Sequence, residues 1–193
     1  MNEFLGRKKE LAFLEEKYKS KNGEFVIIYG RRRIGKTETI SHFCKNKNTV
    51  FFTCTQTDNK SQLKNFSEKI LSFNLPQSKY ITEFSSWEHA FLALKEISDA
   101  NEEKKIVVID EFPYMAKEYA EIPSVLQKVW DTELKKENIL LILCGSSMSY
   151  IEKEILSEKN PLYGRATGIY KMLPMSFSDS SLFFPNWNKK DKI

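Results

Sequence analysis

The stretch GRRRIGKT, residues 30–37, decides the fold, because it matches the pattern G-x-x-x-x-G-K-[ST] at every fixed position. The apolar run at residues 25–29 reads as a short buried strand, and residues 36–44 can form a helix. Gly30 and Gly35 permit backbone conformations and close approaches that a Cβ would block. The N-terminus of the following helix attracts negative charge. The stretch therefore predicts a phosphate-binding loop between a strand and a helix.

Two side chains of this loop suit the chemistry of a bound triphosphate. Lys36 is placed to reach the β- and γ-phosphates as a positive charge, and the hydroxyl of Thr37 is placed to ligate Mg²⁺. The other nucleotide-binding residues predicted here are Gly30, Arg31, Arg32, Arg33, Ile34, Gly35 and Glu38. The three arginines also permit direct contact with DNA, although their position inside the loop favours the nucleotide or an adjacent subunit.

A second apolar run ends in two acids, in the stretch KIVVIDE at residues 105–111. Asp110, at the carboxyl end of the predicted strand, is the candidate for holding Mg²⁺ opposite Thr37. Glu111 is the candidate general base that polarises the attacking water. Acids often mark strand ends, so the pair gains its meaning from the loop upstream.

A third apolar run, residues 140–144, ends in Gly145, Ser146 and Ser147. The hydroxyl of Ser146 would face the γ-phosphate and sense its hydrolysis, with Ser147 as the weaker candidate. Ser147 before Met148 also suits a helix N-cap, so both interpretations stay open.

Arg165 follows in the stretch YGR, residues 163–165. Its guanidinium is a candidate for stabilising charge on a γ-phosphate, in its own chain or in a neighbouring subunit. An ordinary surface arginine is the alternative. The predicted catalytic set is thus Lys36, Glu111, Ser146 and Arg165.

The pattern of apolar runs predicts an α/β fold. Strands are expected at residues 25–29, 50–55, 106–109, 139–144 and, more weakly, 169–173. Helices are expected at residues 8–19, 36–44, 62–73, 87–98, 122–135 and 148–156. Alternating strands and helices are typical of a parallel sheet, and continuous apolar strands indicate helices on both of its faces.

Composition narrows the class of protein. The chain has 193 residues, a net charge of +4 and a pI near 8.8, which permits nucleic-acid contact without arguing for it. Its three cysteines lack C-x-x-C spacing, which favours free thiols in a reducing compartment over a zinc site. No apolar run is long enough for a membrane span, and the N-terminus lacks a signal-peptide pattern. A cytoplasmic protein without membrane contact is expected.

The sequence resembles the archaeal-type ATPase family, within the AAA+/STAND division of P-loop ATPases. Five motifs in order carry the resemblance: FLGRKKEL at residues 4–11, GRRRIGKT at 30–37, IDEFPY at 109–114, GSS at 145–147 and PLYGR at 161–165. The resemblance implies ATP or ADP with Mg²⁺ and a three-layer P-loop core with a five-stranded parallel sheet in the order 5-1-4-3-2. It also implies that adenine lies near Phe4, Leu5, Gly6 and Arg7.

Family members usually continue into a helical segment, a winged-helix domain and often a nuclease-like region, and this sequence ends at Ile193 before all of them. The expected organisation is an ATPase core at residues 1–175, with an adenine-side segment and helix at 1–20. Residues 176–193 would form a tail where the lid and winged-helix region begin. Exposed aromatic residues in this tail suggest a further domain or a partner there. Any DNA or protein partner would bind through regions beyond this core, and the oligomeric state stays open.

Competing functions share the same residues. The leading hypothesis is Mg²⁺-dependent ATP hydrolysis that drives a conformational change in attached domains. A slow nucleotide-dependent regulatory switch is the alternative, and a DNA-associated adaptor is the third. A kinase is remote, because Glu111 directly after Asp110 favours water as the acceptor. Adenine is favoured over guanine only by resemblance, since no N-K-x-D motif follows the acid strand.

Overall fold

Five short strands form one parallel sheet in the computed structural model, which describes residues 4–97 and 103–184. The strands are β1 (Glu24–Tyr29), β2 (Thr49–Thr53), β3 (Lys105–Asp110), β4 (Ile139–Gly145) and β5 (Gly168–Lys171). Their spatial order is β2-β3-β4-β1-β5, which is the expected order 5-1-4-3-2 written in the reverse direction, so that prediction is confirmed.

Eight α-helices connect or flank the strands in the described part of the chain. They are α1 (Lys8–Lys19), α2 (Lys36–Cys44), α3 (Asn59–Leu71), α4 (Trp87–Leu92), α5 (Phe112–Glu118), α6 (Ile122–Thr132), α7 (Met148–Tyr150) and α8 (Phe177–Ser181). Short 3₁₀ turns at Pro76–Lys79, Ala93–Glu96 and Leu134–Lys136 and a π-helical turn at Ile151–Ile155 complete the secondary structure.

The predicted bounds of α1 and α2 are confirmed, whereas other helices differ from their expected bounds. Helix α3 begins earlier than expected because the carboxylate of Asp58 accepts a 3.0 Å hydrogen bond from the backbone N–H of Ser61 and caps it. Helix α4 gives way to a 3₁₀ turn at Ala93, and Ser98, the predicted end, lies outside the described residues. Helix α6 ends at Thr132, three residues before the predicted end.

Two helices were missed by the sequence analysis, α5 and α8. Helix α5 has only seven residues, too few for an apolar period to be read, and Pro113 stands in its first turn, where a missing N–H costs nothing. Helix α8 follows Ser176, whose side chain caps it, and lies within the predicted tail. The tail residues 185–193 lie outside the described residues, and the domain boundary after residue 175 stays a prediction.

Helices cover both faces of the sheet, as the continuous apolar strands predicted. Phe25 and Ile27 of β1 face a cluster that includes residues of α3, α4, α5 and α6, whereas Val26 and Ile28 face Leu14 of α1 and residues of α2. Every residue of β1, β3 and β4 is buried, as a central strand between two helical layers requires. None of the described helices has the length and apolar character needed to cross a membrane.

The strand register brings the predicted motifs to one edge of the sheet. Tyr29, the last residue of β1, lies beside Gly145 at the end of β4, and Ile109 of β3 lies beside Leu143. Because the strands are parallel, the segments that follow β1, β3 and β4 emerge at the same edge. The phosphate-binding loop, the acid pair and Ser146 are therefore neighbours.

Candidate nucleotide-binding and catalytic site

The loop at residues 30–35 joins β1 to α2 as a tight turn. Gly35 has φ 86°, a left-handed conformation that favours glycine. Lack of space does not require glycine there, since a Cβ would meet nothing within 4 Å. At Gly30 the reason is space, because a Cβ would lie 2.3 Å from the carbonyl oxygen of Met172. The first glycine thus permits close packing of the loop against the chain after β5.

Lys36 points back into the loop. Its ammonium group donates to the carbonyl oxygens of Gly30 (3.0 Å) and Arg31 (2.9 Å), and the residue is 5% exposed. Among the described residues, both hydrogen bonds of this charge go to backbone carbonyls, and phosphate oxygens are stronger acceptors that could take their place. The geometry places a positive charge inside the loop, where the sequence predicted it.

Thr37 and Asp110 meet although they are far apart in the sequence. The Thr37 hydroxyl donates a 2.8 Å hydrogen bond to Oδ2 of Asp110, and the other carboxylate oxygen accepts the backbone N–H of Glu111 at 3.0 Å. Asp110 is 2% exposed. One hydroxyl and one carboxylate are the oxygen ligands that suit Mg²⁺, which usually takes few protein ligands and completes its shell with water and phosphates. The donor set fits the predicted ion.

Glu111 has a left-handed backbone, with φ 52°, at the junction of β3 and α5. Such a conformation is uncommon outside glycine and often marks a functional position. Its Oε2 atom accepts two hydrogen bonds from Ser146, one from the backbone N–H (3.1 Å) and one from the hydroxyl (3.0 Å). The candidate base and the candidate sensor are therefore in direct contact.

Arg32 adds a link that the sequence analysis did not foresee. Its Nε donates to the hydroxyl oxygen of Ser146 (3.3 Å), and its Nη2 donates to the phenol oxygen of Tyr114 (2.6 Å). Tyr114 lies on α5, three residues after Glu111, and the sequence analysis gave it no role. Its place in the IDEFPY motif, three residues after the acid pair, was the available signal. The loop, α5 and the end of β4 are joined through one guanidinium.

A cavity of about 1000 Å³ continues from the loop along α2. Residues of the N-terminal segment, the loop, α2 and the segment after β5 line it, among them Phe4, Leu5, Arg7, Ile34, Gly35, Glu38, Thr39, His42, Pro174 and Met175. Three of the four predicted adenine-side residues therefore share one cavity with the end of the loop, residues 33–35. Apolar side chains and polar groups line it together, as in a pocket that fixes the orientation of a small ligand.

Arg7 lines this cavity and links the segments that form it. Its guanidinium donates to the carbonyl oxygens of Leu173 (2.7 Å) and Ile34 (2.5 Å) and pairs with Glu10 (3.0 Å). Gly6 precedes it with φ 75°. Arg7 thus ties the N-terminal segment to the loop and to the chain after β5.

Phe4 stacks on His42 of α2, with ring centroids 4.0 Å apart. His42 gave no signal in the sequence, because a single histidine carries no distinctive spacing. The cavity instead places it beside the predicted adenine-side segment, where flat rings offer a stacking surface.

Arg165 is the one predicted site residue that the structure does not bring to this edge. Its guanidinium donates to a carboxylate oxygen of Asp131 at the end of α6 (3.2 and 3.3 Å). Thr167, two residues later, pairs with Phe25 near the start of β1, at the opposite edge of the sheet from the loop. The option that Arg165 serves the γ-phosphate site of its own chain is therefore corrected, and the option of a neighbouring subunit stays a prediction.

All three cysteines are buried free thiols, as expected. Burial raises the pKa of Cys44 to about 11. Burial also raises the pKa of Cys54 and of Cys144, and the negative charge of Asp110 raises both further. Cys54 and Cys144 therefore stay uncharged thiols in the neighbourhood of Asp110. Within residues 4–97 and 103–184, no three His, Cys, Asp or Glu side chains form a metal-binding group.

The model of a family described as an ATPase domain, predominantly from Archaea, matches residues 4–191. The chain belongs to this family. An uncharacterised protein of Methanocaldococcus jannaschii is 38% identical over 182 residues, which is 94% of this chain and 38% of that protein. An uncharacterised ATP-binding protein of the same organism is 50% identical over 44 residues, 23% of this chain and 75% of that protein. The ATPase domain thus spans about 38% of the longer relative.

Solved structures with the same fold include several ATPases. A Walker-type ATPase of Pyrococcus abyssi has a TM-score of 0.70 at 22% identity, over 93% of this chain and 57% of that one. The ORC2 protein of Aeropyrum pernix, in complexes with ADPNP and ADP, has a TM-score of 0.69 at 17% identity, over 95% and 51%. A STAND protein of Pyrococcus horikoshii with a tetratricopeptide-repeat sensor has a TM-score of 0.63 at 17% identity, over 100% and 27%. These likenesses confirm the fold of a nucleotide-binding ATPase domain.

Proposed function

We propose that this ATPase domain binds ATP together with Mg²⁺ and hydrolyses its γ-phosphate. The observation that carries the proposal is the grouping of Lys36, Thr37, Asp110, Glu111 and Ser146 at one edge of the sheet, with Thr37 and Asp110 in direct contact. A fold alone does not give a function, whereas this set supplies a phosphate-binding cation, metal ligands and a base.

Each residue has a defined part in the proposed reaction. Lys36 and the N-terminus of α2 bind the phosphates, and Thr37 and Asp110 hold the ion. When bound, Mg²⁺ would supply positive charge that offsets the negative charge of the phosphates. Glu111 takes a proton from water at its carboxylate while the water oxygen attacks the γ-phosphorus. The bond from that phosphorus to the bridging oxygen breaks, and ADP leaves with the electron pair.

The adenine base of the nucleotide would lie in the cavity along α2. Phe4 and His42 offer flat surfaces to stack on, and Leu5 and Ile34 line the same apolar space. Arg7 would act by fixing the N-terminal segment against the loop, because its hydrogen bonds go to Glu10, Ile34 and Leu173. The rings and apolar side chains would therefore contact the adenine, whereas Arg7 would hold the N-terminal segment in place.

Coupling to attached domains belongs to the same proposal. The relative from Methanocaldococcus jannaschii is longer than the matched segment, so hydrolysis would act on regions outside this domain. The segment after β5 is the route we favour, since Leu173 is bonded to Arg7 while Pro174 and Met175 line the cavity. Binding of DNA or a protein partner through such regions would show as nucleotide-dependent affinity in the longer protein.

The direct test of nucleotide binding is calorimetric titration of Lys36→Ala with ATP and Mg²⁺. The loss of the charge that the loop holds should weaken binding at least tenfold. Lys64→Ala is the matched control, because Lys64 is an exposed residue of α3 paired only loosely with Glu68 at 4.0 Å. Equal affinity of the wild type and Lys36→Ala would remove the proposed phosphate site.

A further inference from the structure

Arg32 occupies a central position among the predicted catalytic residues. Its guanidinium bridges the hydroxyl oxygen of Ser146 and the phenol oxygen of Tyr114, and Ser146 in turn donates to Glu111. Arg32 is exposed and belongs to the loop itself. A side chain on the loop thus reaches across to the tips of β3 and β4.

The direction of each hydrogen bond follows from the donors present. Arginine has only donors, so both the Ser146 and the Tyr114 oxygen accept from Arg32. A serine hydroxyl carries one proton, and that of Ser146 goes to Oε2 of Glu111. The hydroxyl of Ser146 therefore links Arg32 to Glu111 and does not need to face a phosphate itself.

The guanidinium keeps donors for a ligand. Arginine has five N–H groups, and these two bonds are the side-chain hydrogen bonds of Arg32 to the described residues. About three N–H groups therefore remain, in the planar arrangement that suits phosphate oxygens.

On the basis of the proposed function, we infer that Arg32 is the arginine that stabilises charge on the γ-phosphate, in its own chain, and that Tyr114 is its positioning residue. Negative charge spreads over the equatorial oxygens of the γ-phosphate during transfer, and a fixed guanidinium lowers the barrier. Two other arginines fit this role less well. Arg7 is engaged with Ile34 and Leu173, and Arg165 lies at the opposite edge of the sheet with Asp131.

Tyr114 supplies the preorganisation that a long side chain lacks. An exposed arginine samples many rotamers, and holding it in one costs conformational entropy on every turnover. The 2.6 Å bond to a phenol on α5, three residues after Glu111, fixes the guanidinium relative to the candidate base. Its removal should therefore slow the chemical step more than it weakens binding.

The first test compares ADP with the β,γ-imido analogue of ATP in the presence of Mg²⁺. Arg32→Ala should leave the affinity for ADP within about twofold and should weaken the analogue by about tenfold, because ADP lacks the γ-phosphate. It should also fail to trap ADP with aluminium fluoride, which mimics the transferred phosphoryl group. Arg33→Ala, which lines the cavity along α2, should weaken ADP and the analogue alike.

The second test measures turnover of Tyr114→Phe. Its kcat should fall about three- to tenfold with KM nearly unchanged, as the loss of one solvent-exposed hydrogen bond of ordinary net strength predicts. Tyr119→Phe is the matched control, because Tyr119 follows the C-terminal end of α5 and its phenol donates to Glu121 at 2.7 Å, outside the site. Arg32→Lys should not restore the rate, since the single ammonium of lysine lacks the planar fork in which Nε reaches Ser146 while Nη2 reaches Tyr114.

The outcomes separate this inference from the proposed function. A wild type that hydrolyses ATP, with Arg32→Ala and Tyr114→Phe equally fast, would overturn the inference and leave the proposed function standing. A loss of ADP and analogue binding to the same extent in Arg32→Ala would also overturn it, because Arg32 would then be an ordinary phosphate contact. A wild type that neither binds nor hydrolyses ATP would overturn both.

Discussion

Thr37 of the loop helix and Asp110 of β3 share a 2.8 Å hydrogen bond that joins the two halves of the site. The same carboxylate accepts the backbone N–H of Glu111 through its other oxygen. One nearly buried acid therefore fixes the loop relative to the candidate base. A change at Asp110 should alter both metal binding and the geometry at Glu111.

Asp110→Asn tests the assignment of this carboxylate as a metal ligand. The amide keeps the shape but loses the charge, so the gain in ATP affinity on adding Mg²⁺ should fall at least tenfold. Calorimetric titrations with ATP, with and without Mg²⁺, measure that gain. Asp58→Asn is the control, because asparagine caps a helix as well as aspartate does. A full Mg²⁺ effect in Asp110→Asn would contradict the assignment.

Arg165→Ala tests whether that arginine acts only between subunits. The pair with Asp131 is about one-third exposed, so its loss should cost no more than about 1 kcal/mol of stability. Turnover per chain should equal that of the wild type at high dilution, and any deficit should appear only as the protein concentration rises. A rate deficit that persists at every concentration would place Arg165 in its own chain's site and contradict the observed geometry.

Alkaline stability should depend on Cys44. Burial raises its pKa to about 11 from an ordinary value of 9.0. Between these values the unfolded chain releases the thiol proton while the folded chain keeps it, so stability is full below pH 9 and falls as the pH rises towards 11. In denaturant titrations, Cys44→Ala should lose about 2 kcal/mol less than the wild type over this interval. If the wild type and Cys44→Ala lost equal stability over this interval, the Cys44 thiol would be accessible to solvent.

Phe66 should contribute strongly to folding. It lies on α3 with its side chain fully buried, and its ring contacts those of Phe52, Trp87 and Phe91 at centroid distances of 5.0 to 5.5 Å. Phe66→Ala should lower the free energy of unfolding by about 3–5 kcal/mol. Tyr80→Ala, at a residue that is 86% exposed, should change it by less than about 0.5 kcal/mol. Similar values for the two variants would contradict the packing.

Local chemistry explains what could be predicted from the sequence. The loop at residues 30–37 and the acids at 110–111 have fixed spacing and follow fully buried strands, so both their elements and their meeting at one edge were foreseeable. The ends of α3 and α6 were less predictable. A capping side chain such as Asp58 can start a helix outside the apolar period by which the helix is recognised in the sequence.

Contacts between distant side chains explain the rest. The bond from Arg32 to Tyr114 depends on where α5 begins, and α5 has too few residues to show a period. The stacking of Phe4 on His42 depends on how the N-terminal segment crosses α2. Arg165 was misplaced in one of its two options because a position in the sequence does not say which edge of the sheet a residue reaches.

The most direct measurement is ATP binding and phosphate release by the purified protein with Mg²⁺, for the wild type and for Glu111→Gln. Glutamine keeps an oxygen that can accept from Ser146 but cannot take a proton from water. We expect similar ATP affinity in both proteins and a fall in phosphate release of about 100-fold or more in the variant, with Glu118→Gln of the exposed part of α5 unchanged. Equal phosphate release by the wild type and Glu111→Gln would contradict the assignment of Glu111 as the base and, with it, the proposed catalytic site.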